Sequence, residues 1–146
     1  MRDRVKRMTK LLALAETEER KVAVLAGKAQ SHLAEQRNRL GELHAHRHTY
    51  AGRAQNVSSI PAAQWQDYQR FLSRLDEAVR SQRDIIKDCE KSVDTHRRRW
   101  LVKRQRLDSL QRVIDRFREE ERVASDRREQ RQLDELPAAP HQFSDS

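Results

Sequence analysis

Three histidines stand close together in the stretch His44-Ala-His46-Arg-His48. His44 and His48, four residues apart, share a helix face and make a two-point metal grip. No carboxylate or third ligand lies at a matching distance, so the spacing reads as solvated helix surface. Cys89 and His96 would serve as nucleophile and base only if they met. They are seven residues apart, about 10 Å along a helix, which is too far for proton transfer. A small apolar residue and a polar residue on one helical seam describe them better. There is no glycine-rich phosphate loop and no cysteine pair to hold a metal. The expectation is a protein that is not an enzyme and takes no cofactor.

The basic residues speak more clearly. Between Arg97 and Arg118 there are nine basic side chains and two acidic ones. Residues 2–10 add Arg2, Arg4, Lys6, Arg7 and Lys10 against Asp3. The whole chain of 146 residues has 31 Lys and Arg against 23 Asp and Glu, for a net charge of +8. That balance favours nucleic acid, anionic lipid or an acidic protein surface as partner. A solvated helix face is the plain alternative. The single cysteine cannot close an internal disulfide, which fits a reducing compartment. The apolar run Leu11–Ala15 is too short for a signal-peptide core. No stretch approaches the roughly 20 apolar residues of a membrane span. The chain reads as cytosolic, with no transmembrane segment.

Charged residues at 37%, aromatics at 5% and three each of Gly and Pro call for long helices. One break stands out, from Gly52 to Ala63. Gly52 can end a helix in the left-handed conformation. Ser58 or Ser59 can cap the next, with Pro61 in its first turn. Pro137 and Pro140 stop the second helix near Leu136. The predicted fold is all-α: an antiparallel two-helix coiled-coil hairpin with a longer C-terminal helix. Its boundaries are about 3–53 for helix 1, about 54–60 for the turn and about 61–136 for helix 2. Residues 1–136 then form one hairpin, and 137–146 a disordered tail.

The second helix carries the stronger pattern. Trp65, Tyr68, Leu72, Leu75, Val79, Gln82, Ile86, Cys89, Val93, His96, Trp100, Lys103, Leu107, Leu110, Ile114 and Phe117 follow one another in alternating steps of three and four. That is a heptad seam. Phe71, Ala78, Ile85 and Val113 widen it on one flank. In the first helix Met8, Leu11, Leu12, Ala15, Val22, Leu25, Ala29, Leu33, Leu40, Leu43 and Tyr50 lie on a drifting face that Gln36 and Arg47 interrupt. Gly27 and Gly41 weaken that helix and leave room for another backbone. Placing Arg53 opposite Ala62 pairs Tyr50 with Trp65, Leu43 with Leu72, Ala29 with Ile86 and Ala15 with Trp100. Residues 2–10 then lie beside Arg97–Arg118 as a basic collar. Trp65 and Tyr68 read as core, and Phe71 as an exposed hot-spot candidate.

The spaced aromatics Trp65-Gln-Asp-Tyr68-Gln-Arg-Phe71, with Leu75 and Ala78 after them, are the first part of a wider likeness. With Trp100 and Lys103-Arg-Gln-Arg-Leu107, and with Glu129-Gln-Arg-Gln-Leu-Asp134-Glu135, they resemble the FliJ family of the bacterial flagellar export apparatus. The likeness covers nearly the whole chain. It implies a non-catalytic, stalk-like coupler between the hexameric flagellar export ATPase and the cytoplasmic domain of the export gate. It also implies an escort for export chaperones, needed for flagellum assembly and hence motility and chemotaxis. Such a protein would be cytoplasmic and peripheral at the cytoplasmic face of the inner membrane. The resemblance assigns export-gate binding to Leu43, Tyr50, Phe71, Leu75 and Ala78. It departs at His46, in place of a family aromatic, and at Gln82, in place of a family histidine. The collar of Arg2, Arg4, Lys6, Arg7, Arg97, Arg98, Arg99, Lys103, Arg104 and Arg106 becomes the expected ATPase-ring surface. The stalk of a virulence type III secretion system is the nearest alternative. A basic coiled-coil nucleic-acid-binding protein is the alternative of another class, although no nucleic acid is expected.

Overall fold

In the computed structural model residues 2–55 and 61–136 are described, and almost all of them are helical. Helix α1 is Arg2–Gln55, 54 residues long, and α2 is Ala62–Glu135, 74 residues long. Neither contains a proline, so nothing interrupts the i to i−4 ladder. The carbonyl of Pro61 accepts the first α2 bond from the Trp65 amide at 3.0 Å. At the other end the Leu136 amide donates to the Gln132 carbonyl at 3.1 Å, and a proline next in sequence disfavours further helix. The caps expected at Ser58 and Ser59 and the tail expected over 137–146 lie outside the described residues.

Gly52 does not end α1. None of the three glycines has a positive φ, and the helix runs through all of them to Gln55. No foreign atom lies within 4 Å of where a Cβ would sit at Gly27 or Gly41, so no backbone among the described residues approaches either.

The helices pack antiparallel. As the α1 number rises its α2 partner falls, through the pairs Arg4–Glu120, Glu18–Lys103, Arg37–Glu90 and Arg47–Asp76. The fold is a two-helix coiled-coil hairpin. Its contacts divide it into a terminal unit, residues 2–19 with 103–136, and a central unit, Arg20–Val102.

In the central unit Leu33, Ile86 and Cys89 form a buried cluster, with Leu40 and Val93 packed on it. Gln36 and Gln82 are buried with them, at 4% and 8% exposure. The Gln82 Nε2 donates to Gln36 Oε1 at 2.8 Å and to the Gln36 carbonyl at 2.9 Å. Gln36 is therefore part of the seam, not a break in it. The terminal unit is held by Ile114, which is fully buried, and Ala15, at 6% exposure. There the Arg4 guanidinium lies 3.6 Å from the Phe117 ring centroid.

The expected register is off by about one helical turn. Leu33, not Ala29, packs with Ile86, and Tyr50 stacks on Tyr68 instead of Trp65. Opposing Arg53 to Ala62 took α1 to end at about residue 53, whereas it continues to Gln55, which accounts for part of the shift.

Burial follows the α2 seam from Tyr68 to Phe117 without a gap. Trp65, expected in the core, is 44% exposed. In α1 the buried and half-buried positions include Val5, Met8, Leu12, Ala15, Glu19, Val22, Ala26, Ala29, Leu33, Gln36, Leu40, Leu43 and Tyr50. These also step by threes and fours, with Arg47 the one gap. Leu11 and Leu25, counted as core from the sequence, are 46% and 48% exposed. They sit one position off a strict 3.5-residue repeat, on its flank.

Candidate docking surfaces

Two kinds of surface hold the residues singled out by the sequence. The first is aromatic and belongs to the central unit. Tyr50 stacks on Tyr68 with centroids 4.9 Å apart and planes at 14°. It also meets Phe71 at 4.3 Å, tilted by 49°. Trp65 lies 5.4 Å from Tyr68. Such ring pairs contribute about 0.5–1.5 kcal/mol each beyond their buried area. They hold the Phe71 ring in place while it remains 42% exposed. A large apolar side chain fixed by its neighbours and open to solvent loses little rotamer entropy when a partner covers it.

Of the five expected gate-binding residues, Tyr50 and Phe71 are in direct ring contact. Leu43, Leu75 and Ala78 are half-buried in the same unit. Of the two departures, His46 is exposed. The Gln82 amide is taken up by Gln36 and faces inward. Sequence reasoning missed the exposed Trp65, which sits in the first turn of α2. The missed signal was its place at the very start of the seam, where the partner helix has little left to cover it.

The second surface is cationic. In the terminal unit several expected ring-binding residues are already paired. Arg4 meets Glu120 at 3.3 Å, Lys103 meets Glu18 at 3.1 Å and Arg104 meets Asp108 at 3.7 Å. Arg7 donates through Nε to the Asp3 carbonyl at 3.3 Å. Lys6 and Arg106 are exposed and have no ion pair among the described residues. Arg2 opens α1, and its side chain lies outside the described residues. Arg97, Arg98 and Arg99 belong to the central unit, where Arg98 pairs with Asp94 at 2.9 Å. The Lys103–Glu18 pair is half-buried; the other ion pairs are solvent-exposed, so each of those contributes little to stability.

Further along α2, Arg122 forms a local network. It bonds Glu119 at 2.7 Å and Asp126 at 2.9 Å. The hydrogen bond from Arg122, and then its charge, hold the Glu119 carboxyl below its ordinary value of 4.5. A depressed folded pKa adds stability above the unfolded value, and that stability is lost as pH falls through the folded one. Acidifying below about pH 4.5 should therefore cost helix here. Circular dichroism should show a loss that Glu119→Gln lacks, and high salt should shrink the difference.

His44 and His48 are both exposed. Among the described residues no three His, Cys, Asp or Glu side chains gather to hold a metal ion. Cys89 is buried in the core cluster. His96 is half-buried, and its Nδ1 has no hydrogen-bond partner among the described residues. No described helix is long and apolar enough to cross a membrane.

A family model described as Flagellar FliJ protein matches residues 4–144. A Flagellar FliJ protein of Escherichia coli (strain K12) is 26% identical over 125 residues, covering 84% of this chain and 85% of that one. A Flagellar FliJ protein of Salmonella typhi is 29% identical over 79 residues. That match spans about half of each chain, 54% in both cases. No solved structure matches. With the match running along almost all of both helices, the chain belongs to the FliJ family of flagellar proteins.

Proposed function

We propose that this chain, a component of the flagellar export apparatus, works there as a non-catalytic coupler. It links the hexameric export ATPase to the cytoplasmic domain of the export gate, and it escorts export chaperones. It acts in the cytoplasm, at the cytoplasmic face of the inner membrane. The relatives are flagellar proteins by name, which favours this reading over a virulence-secretion stalk. The observation that carries it is the unlike character of the two units. The central unit offers fixed, exposed aromatics at Phe71 and Trp65, suited to a hot spot on a protein partner. The terminal unit offers Lys6 and Arg106, which have no ion pair among the described residues, suited to acidic groups in the ATPase ring.

The test uses purified export ATPase and gate domain with two variants. Phe71→Ala should weaken gate binding about tenfold and leave ATPase stimulation intact. Lys6→Glu with Arg106→Glu should lower ATPase stimulation and spare gate binding. Unchanged circular dichroism would establish that both variants still fold. Wild-type protein that bound neither partner would overturn the proposal.

A further inference from the structure

Arg47 stands at a seam position of α1, where the repeat calls for an apolar side chain. Its guanidinium turns to the flank instead, and Nε donates to Asp76 Oδ1 at 2.6 Å. The Arg47 side chain stays 45% exposed. What opens beside it is a groove of about 400 Å³, lined by His44 and Arg47 of α1 and by Asp76, Val79, Arg80 and Arg83 of α2. Val79, only 7% exposed, closes the floor of the groove.

The charges do not cancel. Asp76, the one acid in the groove, is taken by Arg47, and its hydrogen bond and charge hold the Arg47 guanidinium above its ordinary pKa. Among the described residues Arg80 reaches only the Asp76 backbone carbonyl, at 3.4 Å. Arg83 has no partner among the described residues. Two planar guanidinium forks and a histidine are therefore left along the groove. Each fork matches a carboxylate with two parallel N–H bonds.

We propose that this groove receives an acidic segment of a partner protein, with Arg80 and Arg83 each gripping a carboxylate. The two arginines are three residues apart, about 5–6 Å between Cβ atoms on a helix. Alternate side chains of an extended peptide are about 6.5–7 Å apart, so carboxylates at every second residue reach both forks. Nucleic acid fits less well, because phosphate binding draws on many cations at once and this groove has two free arginines and an acid in its wall. The groove also lies off the Phe71 flank of α2. Its occupation does not rest on the coupling reading and leaves the aromatic cluster open.

The probe is fluorescein-labelled octaglutamate, titrated into the full-length protein at low salt and followed by anisotropy. Arg80→Gln with Arg83→Gln should weaken binding about fivefold or more. Arg70→Gln with Arg74→Gln removes the same charge from the same helix outside the groove, and should weaken it less than about twofold. Asp76→Asn frees the Arg47 fork and should tighten binding about twofold. Equal losses in both arginine pairs would mean attraction to the net charge alone and would overturn the site. Oligothymidylate that bound as well, with the same dependence on Arg80 and Arg83, would overturn the acidic peptide as occupant.

Discussion

Ile114→Ala should destabilise the terminal unit by about 2–3 kcal/mol, the largest loss expected from any single truncation in the chain. Ile114 is fully buried, and its exposure is 0%. Deleting its outer carbons removes their transfer energy and leaves a cavity. A two-helix core is thin, and half-buried neighbours such as Leu110 and Phe117 can settle into the space. The cost should therefore fall in the lower part of the range of about 2–5 kcal/mol for such changes. Val113→Ala, half-buried on the flank, should cost less than about 1 kcal/mol. Urea denaturation followed by circular dichroism measures both. Equal midpoints for the two variants would contradict this account of the core.

The second large effect changes sign between a single and a double substitution. Gln82→Leu leaves the Gln36 Oε1 buried without its donor, since Gln82 supplies it at 2.8 Å. That should cost about 1–3 kcal/mol. Adding Gln36→Leu removes the stranded group and turns the layer apolar. The double variant should match or exceed the wild type in stability. It should also lose uniqueness, because a buried, hydrogen-bonded polar layer helps to fix the register of a coiled coil. Equilibrium unfolding reads the first effect. Amide NMR reads the second, as extra resonances from slipped registers. A double variant less stable than Gln82→Leu would show that the pair stabilises the fold in its own right.

The sequence made the helices and the α2 seam plain, because sixteen positions kept to one repeat. The α1 seam was harder to see. Alanines at Ala15, Ala26 and Ala29 and polar residues at Glu19, Gln36 and Arg47 weaken its contrast with the flank. Leucines at Leu11, Leu14 and Leu25 meanwhile advertise a face that the structure leaves exposed. The register was out of reach for a different reason. It depends on where α1 ends, and Gly52 permits a stop without requiring one. Among the candidate surfaces, the exposure of Phe71 was legible from its flank position. The cross-helix pairing of Arg4 and Lys103 with acids was not. It depends on which side chains a one-turn shift brings together, and it thins the collar that composition suggested.

Trp65 and Trp100 both fall within Arg20–Val102. Tryptophan emission therefore originates in the central unit, whereas ellipticity sees both. Recorded side by side on unlabelled protein, emission and ellipticity follow the fates of the two units separately.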